Sequence, residues 1–329
     1  MFSMTHEIIV KEVNAGKPFK ANSMKWAKSI YNVADSAMVR VPAITRLNKN
    51  GDSYERVQTG ILFKEGMQIE IYAGYDGQND RVFKGFISRI NFTIPIEIEC
   101  EGFSYQLRKK NFSKSYPKNW KLKQLLQDLI EGTDIKLSRL IPDVTIKTPM
   151  RFKNYRGNDV LEWIKEKGLQ TVYFNEDELY CGLQQGLLKG EAKYRLGWNV
   201  IKDSELKFSI EKEFATVKIE LKQPRQKNGA VRTSVKDSKF TDTYVKRIAM
   251  NFDDAYVDRI AAEEKRKLSN RGYEGSISAF LKPFASPGMS AVIEDAKYPE
   301  RAGRYFIPAV EGEFGKGGGR QKIRIGNSL

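Results

Sequence analysis

Histidine is all but missing from this chain, and cysteine is scarce: His6 is the single histidine, and Cys100 and Cys181 are the only cysteines. These shortages exclude much of enzyme chemistry at the outset. A Ser-His-Asp or Cys-His site would have to be built on His6, near the amino terminus, where an ordinary surface side chain is expected. A zinc site needs several Cys and His at ligand spacing, and the chain does not supply them. The two cysteines lie far apart and form no CxxC pair, so no disulfide framework is expected and assembly in the cytoplasm is the simpler reading.

Long apolar runs are missing too. No stretch reaches the roughly 20 residues that cross a bilayer. The first residues carry His6, Glu7, Lys11 and Glu12 where a signal peptide would hold an unbroken apolar core, so the mature chain is expected to begin there. Gly315-Lys316-Gly317-Gly318-Gly319-Arg320 lacks the GxxxxGKS/T order and no helix is expected after it, so it reads as a glycine-rich turn. Glu176, Asp177 and Glu178 form an acidic cluster, but at a hairpin tip, where solvated turn residues are expected. No surplus segment is available to house a lysozyme-type domain. The chain is read as non-enzymatic, with no catalytic, cofactor-binding or metal-binding residues to assign and no cofactor implied.

What is present is an ordinary globular balance with one unusual number. Hydrophobic residues make up 40% and charged residues 29% of 329 positions, room for two or three domains of roughly 100–150 residues each. The formal charge is +15. Such an excess suits nucleic acid, an anionic surface or acidic protein neighbours. It is dense over Lys218, Lys222, Arg225, Lys227, Arg232, Lys236, Lys239, Lys246 and Arg247, which a solvated basic hairpin or loop explains equally well. Aromatic residues sit among basic ones around Trp26 and Trp120, as in stacking platforms for single-stranded nucleic acid, although filling β cores or interfaces is the expected role.

Hydrophobic patterning divides the chain into three. Met38 to Pro42, Val57 to Phe63, Met67 to Tyr72, Arg81 to Phe92 and Ile96 to Cys100 read as short strands separated by turns such as Asp76-Gly77. From about residue 106 the pattern becomes helical. Leu122, Leu125, Leu126, Leu129 and Ile130 share a face closed by Gly132, and a second helix is expected from an Asn158 cap through Val160, Leu161 and Ile164 to Gly168. Thr171 to Phe174 and Leu179 to Cys181 then form a hairpin around Asn175-Glu176-Asp177. After about 191, strands return at Leu206 to Ile210 and Val217 to Leu221. One helix interrupts them, capped at Asp253 or Asp254, with Val257, Ile260, Ala261, Glu264 and Leu268, and ending in Ser269-Asn270-Arg271-Gly272.

The first and last regions echo each other. Glu65-Gly66-Met67, a strand, a polar turn and Arg81-Val82-Phe83 are matched by Pro287-Gly288-Met289, a strand, a polar turn and Arg304-Tyr305-Phe306. The spacing predicts two related β domains around an inserted module. Three such chains would present six similar units, a geometry that can adapt a sixfold tube to a threefold partner.

The carboxy-terminal hundred residues resemble the tail hub family of contractile phages and related injection systems, late control protein D. The resemblance is carried by Ala261-Ala262-Glu263, Asn270-Arg271-Gly272-Tyr273-Glu274-Gly275-Ser276-Ile277, Pro283, Pro287-Gly288-Met289, Tyr298-Pro299-Glu300, Gly303-Arg304-Tyr305-Phe306 and Gly318-Gly319-Arg320, in that order. Asp35 to Pro42, Phe83-Lys84-Gly85-Phe86-Ile87-Ser88 and the Leu161 to Tyr180 helix–hairpin are similar in outline to its amino-terminal part. The resemblance implies a homotrimeric hub with two β-barrel domains per chain, bound to a tail tube or distal tail protein above and a spike or tail-tip protein below, with a tape measure protein as a further candidate partner. Because the chain ends soon after Gly326, a separate spike is expected.

The expectation is therefore an α+β, mainly β protein. Residues 1–105 are expected to form a first tube-like β-barrel domain, 106–190 an α+β insertion module, and 191–329 a second tube-like domain with one packing helix. Function is expected to be structural, in a virion tail or phage-like injection system assembled in the bacterial cytoplasm. The alternative is a basic β-barrel nucleic-acid-binding protein, although specific nucleic-acid binding is not expected.

Overall fold

A computed structural model describes residues 3–13, 17–48, 54–184, 189–209, 216–221, 230–236, 243–268 and 272–329. Strands dominate. The first region holds β1 (Met4–Val10), β2 (Ser23–Ser29), β3 (Ser36–Val41), β4 (Ile44–Asn48), β5 (Tyr54–Gln58), β6 (Gln68–Tyr75), β7 (Gln78–Asn91) and β8 (Ile96–Glu101). Alternation places Ile69 and Ile71 of β6 and Ile96 and Ile98 of β8 inside, while the intervening glutamates point outward. The β6–β7 turn is Asp76-Gly77, both at positive φ, a two-residue connection whose twist matches the flanking strands. Residues 59–62, within the segment expected to be a strand, form a 3-10 turn instead.

The middle region contains α1 (Ser104–Arg108), β9 (Asn111–Tyr116), β10 (Trp120–Lys121), α2 (Leu122–Ile130), β11 (Lys136–Leu137), β12 (Thr145–Ile146), β13 (Met150–Arg156), α3 (Gly157–Gly168), β14 (Thr171–Asn175) and β15 (Glu178–Gly182). Helix α2 forms where the leucine spacing predicts it, and Gly132 takes the left-handed conformation just past its end. Asn158 is not the cap of α3. Arg156 holds the extended N-cap position, and the start is set by packing: the Gly157 amide donates to the Lys110 carbonyl, and a Cβ there would stand 2.8 Å from the Leu107 carbonyl oxygen.

The last region comprises β16 (Glu191–Arg195), β17 (Val200–Lys202), β18 (Lys207–Ser209), β19 (Thr216–Leu221), β20 (Ala230–Lys236), β21 (Thr243–Ile248), α4 (Asp254–Leu268), β22 (Gly272–Phe280), β23 (Ser290–Glu294), β24 (Gly303–Phe306), β25 (Ala309–Gly315) and β26 (Gly318–Ile325). Asp253 caps α4, its Oδ1 accepting the Tyr256 amide at 2.9 Å. The expected helix terminator at 269–271 lies outside the described residues. The apolar face of α4 (Val257, Ile260, Ala261) joins one core with α2, α3, the β14–β15 hairpin and Ile219, Leu221 and Ile248. Side chains from beyond residue 190 thus close over the middle region.

One sheet spans both β regions, in the order β1-β6-β7-β8-β3-β2-β25-β26-β22-β17. Its last eight strands are two copies of one arrangement: β7-β8-β3-β2 and β25-β26-β22-β17. In each, a hairpin is followed by an earlier strand and that strand's antiparallel neighbour. The turns that feed them match bond for bond. The Met67 amide donates to Lys64 O, Gly66 N to Ile87 O and Ile87 N to Met67 O; the Met289 amide donates to Ser286 O, Gly288 N to Ile307 O and Ile307 N to Met289 O. Gly66 and Gly288 have φ of 89° and 90°, a region open to glycine at little cost.

The echo in the sequence is therefore structural, with one correction. Ser290 pairs with Phe306 as Gln68 pairs with Phe86, so Lys84, not Arg81, occupies the place of Arg304. Arg81 lies beyond a bulge in the longer β6–β7 hairpin.

The two copies join at β2 and β25, antiparallel from Met24↔Phe314 to Ser29↔Ala309. Trp26 lies opposite Gly312, where a Cβ would come within 2.0 Å of the indole ring. Only glycine lets the ring lie across the junction.

Candidate assembly surface

The sheet has a sharp inside–outside division at this junction. Met24, Trp26, Val39, Ile98, Val310, Phe314, Ile323 and Ile325 are buried on one side. The other side is concave and carries charged side chains among apolar ones, around a cavity of about 830 Å³ across β8, β3, β2, β25, β26, β22 and β17. Its rows alternate in sign. Glu97, Glu99 and Glu101 project from β8 and Glu311 and Glu313 from β25, against Arg40, Lys25, Arg320, Lys322 and Arg324. Arg40 pairs with Glu97 at 2.7 Å and Lys322 with Glu205 at 2.7 Å. The matching strands β8 and β26 thus carry opposite charge, which suits a polar wall better than a continuous track for a polyanion.

Beneath this face lies a buried polar node that the sequence reading missed. Lys28 follows Met24 and Trp26 on the inward side of β2 and is buried, as is Asp35 just before β3. Burial pushes the Asp35 carboxyl up to about 7, against the opposing charge of Lys28 and the Ser29 amide. Burial likewise lowers Lys28, with Asp35 and Glu176 opposing. The signal was available in strand parity: Lys28 shares the register of two core residues.

The acidic hairpin tip is docked and not merely solvated. Glu176 accepts two hydrogen bonds from the Arg81 guanidinium of β7, which hold that group above the usual arginine range. Asp177 accepts from Lys136 at 2.9 Å. His6 also departs from the expected surface role: its Nε2 accepts the Ala21 amide at 2.8 Å and its ring packs on Phe314 at 4.6 Å. Burial and Lys20 lower its pKa, and that acceptor role requires the neutral ring.

Trp26 and Trp120 are buried, so neither offers a stacking platform, and the Trp120 indole donates to the Thr148 carbonyl. Cys100 and Cys181 are buried free thiols, and burial pushes Cys181 up to about 12. Lys222, Arg225, Lys227 and Lys239 of the basic stretch, and the side chains of Arg232 and Lys236, lie outside what is described. Within it, Arg247 pairs with Glu220 at 3.1 Å. Among the described residues no cluster of His, Cys, Asp and Glu is placed to hold a metal ion, and no helix is long and apolar enough to cross a membrane.

No protein-family model matches the chain, and no curated protein matches it by sequence. Solved structures do. A tail protein from Neisseria meningitidis MC58 aligns over 99% of this chain and 97% of its own, at 12% identity and a TM-score of 0.66. The 43 kDa tail protein of prophage MuSo2 from Shewanella oneidensis aligns over 98% of both chains, at 13% identity and a TM-score of 0.64. The E. coli c3393 protein, a component of the type VI secretion system similar in structure to the T4 tail proteins gp27 and gp5, aligns over 94% of this chain and 74% of its own, at 8% identity and 0.55. The fold is thus that of the phage tail and baseplate-hub proteins, α+β and mainly β.

Proposed function

We propose that this chain is a structural hub subunit of a phage tail or phage-like contractile injection system. Three copies form a pseudo-sixfold ring that joins a tail tube or distal tail protein to a central spike or tail-tip protein. The observation that carries the reading is the doubled four-strand unit within one continuous sheet, since three chains then supply six equivalent units. We divide the chain into tube-like domains at 1–105 and 191–329 and an α+β module at 106–190. A tape measure protein is a further candidate partner on the concave face. The chain works as part of the virion tail or baseplate, after assembly in the host cytoplasm, and acts as a symmetry adapter of the late control protein D type, not as an enzyme. In support, the single histidine is committed to the Ala21 amide and Phe314.

Sedimentation mass and electron-microscope class averages test the proposal. A threefold ring with six similar lobes, stable to high salt, is the expected result. A chain that stays monomeric with candidate tube and spike proteins present overturns it. Salt-sensitive binding to nucleic acid by that monomer would favour the basic β-barrel alternative that the charge of +15 suggests.

A further inference from the structure

The junction inside one chain indicates how the next copy is met. β2, the last strand of the first set, pairs with β25, the first strand of the second. The same two positions recur at the ends of the eight-strand path, each at least partly without a strand neighbour on its outer side among the described residues. β17, the counterpart of β2, has only β22 as a strand neighbour among the described residues. β7, the counterpart of β25, pairs with β6 only as far as Phe86, with Met67 bonded to Ile87. Beyond that, Ser88–Asn91 has only β8 as a strand neighbour among the described residues. An unpaired row of amides and carbonyls is a template for another strand.

Large apolar side chains stand beside both edges, at the same end of the sheet. Phe92 and Ile94, in the turn after β7, are 75% and 89% exposed, with exposed Ile61 nearby. Phe92 lies over Gly60, where a Cβ would come within 2.7 Å of its ring. Trp198, just before β17, is 78% exposed, while Ile201 within β17 lines the concave face. Antiparallel pairing of β7 with β17 brings the end of one to the start of the other. It therefore brings Phe92 and Ile94 to Trp198, as the end of β25 meets the start of β2 at Phe314 and Met24.

We propose that the outer side of Ser88–Asn91 in β7 pairs with β17 of a second copy of this chain, with Phe92 and Ile94 of one copy packed on Trp198 of the other. This rests on the ring reading above and names its seam. The two surfaces differ, so the contact is heterologous and closes only as a ring. Burying aromatic anchors of this size gives such a contact its strength.

The test uses the full chain. Asn91→Cys with Val200→Cys, and Arg89→Cys with Lys202→Cys, place thiols on the two edges; the native cysteines are buried. Oxidation should give covalent dimers and trimers from at least one pair. Phe92→Asp with Ile94→Asp, and separately Trp198→Asp, should weaken self-association roughly a hundredfold, with the circular dichroism spectrum unchanged because these side chains are exposed in the single chain. A parent trimer that survives the aspartate variants and yields no cross-link from either pair overturns the seam and leaves the ring standing. A parent that never assembles overturns the ring, and the seam with it.

Discussion

Asp35 shows how a single residue ties this fold to pH. Its carboxyl is raised to about 7, so the folded chain holds a proton that the unfolded chain releases near pH 4. Stability from that proton is complete below about pH 4 and is lost as pH rises toward 7. Lys28, Glu176 and Arg81 are the charged groups that act around this node. Asp35→Asn keeps the side chain neutral, so its stability relative to the parent should rise steadily from pH 4 to pH 8. Denaturant midpoints at pH 5 and pH 8 measure this, and an equal difference at the two values would refute the assignment.

Elements meet here through positions where glycine is called for, by positive φ or by close approach. Gly66→Ala and Gly288→Ala each force alanine to a φ near 90°, and each should cost about 1–2 kcal/mol by urea denaturation. Similar losses from the two sites would reflect their matching hydrogen bonds; a loss at only one would show that the turns are not equivalent. The β2–β25 junction is more demanding. Gly312→Val collides with Trp26 and should cost roughly 3 kcal/mol. Trp26→Ala in the same chain should recover part of that loss, because the two positions share one space. Additive costs would mean that the indole does not fill the junction.

At the scale of the molecule, the continuous sheet couples the two ends of the chain. Leu281 and Phe314 sit in the same core as Ile8, Ile69 and Ile98, while α4 and β19 close the core of the middle region. Thermal unfolding followed by far-ultraviolet dichroism and by tryptophan fluorescence should therefore coincide in one transition. Two separated transitions would show that the β2–β25 junction does not bind the halves energetically.

Period alone made much of this legible. The alternation of Ile69 and Ile71 in β6, the leucine face of α2 and the Asp253 cap of α4 are local properties, set by neighbours within a few residues. The turn at Gly66-Met67 and its echo at Gly288-Met289 were readable for the same reason, because a positive φ calls for glycine wherever it falls. The sequence by itself thus determined a mainly β chain with a helical middle and a repeated turn-and-strand unit. Tertiary structure decided what depends on distant partners. It placed Arg156, not Asn158, at the start of α3, it docked Glu176 on Arg81, and it buried Lys28 with Asp35. It also laid β2 against β25, because which edge a strand pairs with depends on shape and burial across the whole sheet, and no pattern within one strand carries that information.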